Sequence, residues 1–149
     1  PIPLGIYRLL VVASTGTGTP DTAESQGLVF RRSDASQALI ALLEPSSVQT
    51  VSFGDYVNIG WRDNAPSAAT IKLTVGAHAT PGTETETTIL DGRTAGEGGV
   101  NDSFAWQVPN TFAPGTYYVF AYITRTSGLG ADNSSVAPAP IIIKDPAKP

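Results

Sequence analysis

Apolar and polar positions alternate along much of the chain, with the period of strands. Residues 56–61 set Val57, Ile59 and Trp61 on one face and Tyr56, Asn58 and Gly60 on the other. Residues 69–75 repeat the scheme, with Ile71, Leu73 and Val75 inward and Thr70, Lys72 and Thr74 outward. Successive side chains of a strand point to opposite faces, so one apolar face per strand marks a half-buried sheet. Further strands are predicted over 6–13, 27–32, 48–53, 85–90, 103–108, 116–124 and 140–144, with turn signals such as Gly54-Asp55 between them. The best helical candidate is 33–44. A strand over 38–43 is preferred there, because Pro45 stops the run and its surroundings are strand-like.

About seven short strands in the second part of the chain predict an all-β fold, a two-sheet sandwich. Its expected core is Val57, Ile59, Trp61, Ile71, Leu73, Val75, Trp106, Tyr117 and Val119. Tyr117 follows Gly115-Thr116 at the head of a long apolar strand. A Tyr so placed can pack at a sheet corner and tie its hydroxyl to nearby backbone; the plainer alternative is a Tyr that only fills core.

The opening of the chain echoes its end. Gly5-Ile6-Tyr7 leads into Arg8-Leu9-Leu10-Val11-Val12, as Gly115-Thr116-Tyr117 leads into Tyr118-Val119-Phe120-Ala121-Tyr122. Each run enters a polar loop and returns to a short apolar strand, Gly27–Phe30 in one case and Pro140–Ile143 in the other. Tyr117 stands 110 positions after Tyr7, the length of one sandwich domain. The expected organisation is therefore a hairpin over 1–34 that resembles the last two strands of a preceding repeat, a sandwich over 35–145, and a tail over 146–149.

The stretch A-L-I-A-L-L-E-P-S-S-V-Q-T-V-S-F-G-D-Y-V-N-I-G-W-R-D-N, the later A-P-G-T-Y-Y-V-F-A-Y-I and the closing P-A-P-I-I-I resemble bacterial Ig-like or fibronectin-III-like tandem surface repeats. The resemblance covers about residues 39–144 and departs most over 76–101. It implies an Ig-like β-sandwich in a large surface or secreted protein, acting as a spacer, an adhesive unit or a structural repeat. It implies no catalytic activity.

A two-stranded hairpin is marginal alone in water, so residues 1–34 need a sheet to join. Both faces of the first strand are apolar: Tyr7, Leu9, Val11 and Ala13 on one, Ile6, Leu10 and Val12 on the other, interrupted only by Arg8. The later strand repeats this with Tyr118, Phe120 and Tyr122 on its outer face. Strands apolar on both faces are covered on both sides, so a second covering surface is expected. Ile6, Tyr7, Leu9, Leu10, Val11, Val12, Leu28, Phe30, Tyr118, Phe120 and Tyr122 are the self-assembly candidates. Three arrangements are open. The hairpin completes a sandwich in a neighbouring copy by strand complementation, head to tail, building a filament. It ends an upstream repeat of one longer chain. Or it folds back onto the chain's own sheet. The first two make a structural, extracellular molecule, with copies of itself or adjacent repeats as partners; the alternative function is an adhesive, carbohydrate- or protein-binding module.

Composition narrows the chemistry. The 149 residues carry 9 basic and 13 acidic side chains, a net charge of −4. With no basic cluster beyond the Arg31-Arg32 pair, a nucleic-acid partner is not expected. There is no Cys, which excludes disulfides and thiol chemistry. There is no Met and the first residue is Pro, so a processed product or part of something longer is expected. No apolar run nears the roughly 20 residues that span a bilayer. Gly and Pro number 15 and 12; with abundant Ser and Thr and three Lys, this leans towards a microbial surface protein.

Candidate chemistry is thin. His78, the single His, sits in a turn-like A-H-A-T-P-G without a nucleophile context. Asp55 with Asp63, or Glu84 with Glu86, could suggest a glycosidase pair, though solvated strand edges look the same. Asp91, Glu97 and Asp102 gather oxygen atoms among glycines and are the calcium candidates, without EF-hand spacing; a plain loop is the favoured reading, and no other cofactor is expected. Two sequons, at Asn101 and Asn133, fall in expected loops and are glycosylation candidates.

Overall fold

The computed structural model describes residues 5–7, 9–13, 21–24, 28–30, 38–64, 69–82, 86–95, 101–125 and 133–144. The first four strands are β1 (Gly5–Tyr7), β2 (Leu10–Ala13), β3 (Asp21–Glu24) and β4 (Leu28–Phe30). They form one interrupted hairpin. β2 pairs antiparallel with β3, and β1 with β4. Tyr7 faces Leu28 while Leu10 faces Glu24. The break corrects the single strand expected over 6–13. The polar β3 was not expected at all, because Asp-Thr-Ala-Glu carries no hydrophobic signal. Among the described residues none of these four strands joins another sheet.

The rest is two packed sheets. β5 (Ile40–Leu42), β7 (Tyr56–Asp63) and β10 (Asn101–Gln107) form a three-stranded antiparallel sheet in the order β10-β7-β5. β6 (Gln49–Val51), β8 (Ala69–Gly76), β9 (Thr87–Thr94), β11 (Gly115–Arg125) and β13 (Ile141–Ile143) form the second, in the order β6-β13-β11-β8-β9. β12 (Asn133–Val136) lies beside the far half of β11. All pairings are antiparallel except β13 with β6. The closing strand is thus divided: β12 serves Phe120–Ile123 and β13 serves Gly115–Tyr117, with Ala137-Pro138-Ala139-Pro140 between them. Pro has no amide hydrogen to give a ladder, so the pairing breaks there. Residues 40–42 are a strand; residues 33–37 lie outside the described residues.

The core follows the alternation. Val57, Ile59 and Trp61 from β7 lie in one buried cluster with Ile71, Leu73 and Val75 from β8 and Val119, Ala121 and Ile123 from β11. Trp106 is buried with them, and Tyr117 packs partly buried against the cluster. Gly54, at φ 90°, makes the turn into β7, a conformation that favours glycine. Asp55 holds the turn by accepting the Ser52 amide at 2.8 Å.

Candidate functional site

Four consecutive residues of the hairpin stand out. Leu9, Leu10, Val11 and Val12 are 54–60 % exposed, on both faces of one short strand. Soluble surfaces more often scatter such residues singly. The other hairpin candidates, Ile6 and Tyr7 on β1 and Leu28 and Phe30 on β4, lie in the separate β1–β4 ladder.

The outer face of β11 behaves differently. Phe120 is 1 % exposed, and Tyr118 and Tyr122 are half-buried. The chain supplies that cover itself, which corrects the expectation that this face needs a second body. Glu86 reaches across β8 from the start of β9. Its carboxylate accepts from the Gly82 amide at 2.7 Å, from the Thr74 hydroxyl at 2.5 Å, and from the Tyr122 hydroxyl at 2.7 and 2.8 Å. Gly76 makes room: a Cβ there would come within 3.3 Å of the Phe120 ring. Burial pushes the Glu86 carboxyl up, but those three hydrogen bonds and the nearby Lys72 charge together bring it below its ordinary value. Burial, then the hydrogen bond and charge of Glu86, push the Tyr122 hydroxyl up to about 12. Beside this cluster lies a cleft of about 370 Å³ with Thr70, Lys72, Asp91 and Thr124 on its walls.

Both long sides of the sandwich are closed by side chains. On one, Arg93 of β9 donates to the Ser103 carbonyl of β10 at 2.8 Å, and its guanidinium lies 5.0 Å from the centre of the Trp61 ring. Asp102 is 3.9 Å from the same guanidinium. On the other, the β5 amides of Ile40 and Leu42 donate to the Asn133 Oδ1 and the Ser135 hydroxyl of β12, at 3.1 and 3.0 Å. At one end, Trp106, Phe112 and Tyr117 stack edge to face with centres 5.4 and 5.3 Å apart. The Tyr117 hydroxyl donates to the Ala113 carbonyl at 2.9 Å, the corner arrangement.

The remaining candidates are dispersed. Residues 91–102 are not one loop: Asp91 is in β9 and Asp102 in β10. Asp91 borders the cleft on the five-stranded sheet, and Asp102 a hollow of about 310 Å³ beside Gly60. Asp91 and Asp102 thus border different hollows, and Glu97 lies outside the described residues, as do Glu84 and the Arg31-Arg32 pair. Among the described residues no three His, Asp or Glu side chains cluster to hold a metal ion. Asp55 and Asp63 sit near opposite ends of β7, about 26 Å apart at strand rise, too far for a glycosidase pair. Asp63 is buried and His78 exposed. Asn101 and Asn133 lie in strands rather than loops. The Glu86 cluster was missed, since its partners are scattered over residues 74–122. The outward Thr74 and Tyr122, diagonal neighbours across β8 and β11, were the one available signal.

Two facing sheets, a tyrosine corner and side-chain-closed edges define an Ig-like β-sandwich. The model of the Kre9/KNH-like N-terminal Ig-like domain matches residues 44–135. The chain belongs to that family, and the match bears out the Ig-like part of the resemblance. Among solved structures it is similar to the apo-form Calx CBD1 domain, with 13 % identity and a TM-score of 0.35, over 73 % of this chain and 99 % of that one. No curated protein matches the chain.

Proposed function

We propose that this chain is a non-catalytic structural module of an extracellular or cell-surface assembly, and that its hairpin joins a second copy head to tail. The observation that carries this is the exposed run Leu9–Val12 on a hairpin whose strands pair, among the described residues, only with one another. The sandwich has its own closing strands, β11 to β13, so the hairpin fills no vacancy within its own chain. Among the described residues β9 and β10 each lack a strand partner on one side; Arg93 already holds the Ser103 carbonyl there, and an added strand would gain main-chain hydrogen bonds along the rest of such an edge. Kre9/KNH domains belong to secreted cell-wall proteins, which supports the extracellular part of the reading. Among the described residues no helix is long and apolar enough to cross a membrane. A tandem arrangement, in which adjacent repeats of one chain make the same contact, uses the same surface. An adhesive or carbohydrate-binding role is the second reading. It is favoured by the cleft beside Glu86, whose walls carry Lys72, Asp91 and Thr124.

Sedimentation velocity over a wide concentration range tests the assembly. Burying Leu10 and Val12 is worth about 1.5–3 kcal/mol each. The double variant Leu10→Lys/Val12→Lys should therefore weaken association about a hundredfold or more while leaving the thermal midpoint of the sandwich unchanged. A parent chain that stays monomeric throughout, or a variant that associates equally well, would refute the proposal.

A further inference from the structure

We infer that Asn101 is a site of N-linked glycosylation and that the Asn133 sequon is left unmodified. Both triplets, Asn101-Asp102-Ser103 and Asn133-Ser134-Ser135, have the acceptor pattern, and sequence alone cannot rank them. Their surroundings do. Asn101 opens β10 and is exposed, as is Ser103 two residues on and on the same face. Arg62 Nε donates to Asn101 Oδ1 at 2.9 Å. That bond orients the carboxamide through its oxygen and leaves Nδ2, the atom that bonds to sugar, for the solvent side. Beside it lies the hollow of about 310 Å³, with Asn58, Gly60 and Ser103 on its walls. A Cβ on Gly60 would come within 3.3 Å of Glu44, so glycine keeps this shelf low.

Asn133 is placed in the opposite way. It is half-buried, and its Oδ1 holds the Ile40 amide while the Ser135 hydroxyl holds the Leu42 amide. Both side chains of that sequon close the seam between the sheets. What separates the two sites is access: Asn101 is exposed, whereas Asn133 is half-buried in a seam that its own side chain and that of Ser135 hold together.

The reaction is a substitution without redox change. Asn101 Nδ2 bonds to the anomeric carbon of a sugar carried on a lipid pyrophosphate. The carbon–oxygen bond to phosphate breaks, the lipid pyrophosphate leaves with the electron pair, and the amide loses one proton. The glycan would stand at the head of β10, the outer strand of the three-stranded sheet, where a bulky hydrophilic group blocks edge pairing. This inference does not rest on the assembly reading.

The test uses the full chain secreted from a eukaryotic host, with intact mass measured before and after N-glycanase. The parent chain should carry one N-glycan, absent from Asn101→Gln and Ser103→Ala and present on Asn133→Gln. Removing the glycan in heavy-oxygen water marks the used Asn in the unaltered chain, so the assignment survives a variant that fails to fold. A heavy-oxygen label on Asn133, a glycan retained in both Asn101→Gln and Ser103→Ala, or a secreted chain without any N-glycan would overturn it.

Discussion

Glu86 and Tyr117 show how single side chains fasten this sandwich. Glu86 is held by an amide and two hydroxyls, and its carboxyl is lowered in the folded chain. A group lowered on folding contributes stability above its unfolded value, and that contribution is lost as pH falls through the folded one. Unfolding free energy should therefore drop as pH falls below about 4.5, the ordinary carboxylate value. Glu86→Gln should remove that part of the pH dependence and cost about 1 kcal/mol at neutral pH, a partly solvated cluster giving the lower end of the charged range. Urea unfolding at a series of pH values measures both; an unchanged pH slope in the variant would clear Glu86 of the role. Tyr117→Phe deletes only the hydroxyl that reaches Ala113, and should cost about 1 kcal/mol without moving the aromatic stack. Chemical denaturation gives that number. Tyr117 was legible in advance because Gly-Thr-Tyr before an apolar strand is a local pattern. Glu86 was not, because its partners Thr74 and Tyr122 are brought together only when β8 and β11 pair.

Among the elements, legibility followed hydrophobic periodicity. β7 and β8 declared themselves by strict alternation, and the inward residues of both are buried. Where the alternation lapsed, so did the reading. β9 was expected to stop at Leu90 and runs to Thr94, because its last residues pair with β8 through an irregular register rather than through apolar contacts. β12 was missed for a related reason. Asn-Ser-Ser-Val has no apolar face; its side chains instead receive the amides of β5. The outer face of β11 misled in the other direction. Its aromatics suggested a partner surface, yet Phe120 is buried by the chain's own Gly76 and Glu86 neighbourhood. Both sequons, expected in loops, became strand residues with quite different access.

At the scale of the molecule, the pattern of strands and turns was enough for the sandwich, and the opening hairpin carried the functional expectation. The two parts meet different physical conditions. The sandwich buries Trp61, Phe120 and a layer of Ile, Leu and Val from both sheets, and its long sides are closed by Arg93, Asn133 and Ser135. The hairpin presents Leu9–Val12 to solvent, and among the described residues its strands pair only with one another. Two-stranded ladders are marginal alone, so its amides should exchange quickly until something covers them. Hydrogen–deuterium exchange at low and high protein concentration asks this directly. The account predicts that Leu10–Ala13 and Asp21–Glu24 exchange fast when dilute and become protected when concentrated, while β7, β8 and β11 stay protected throughout. Hairpin amides that exchange at one rate at every concentration, fast or slow, would contradict it.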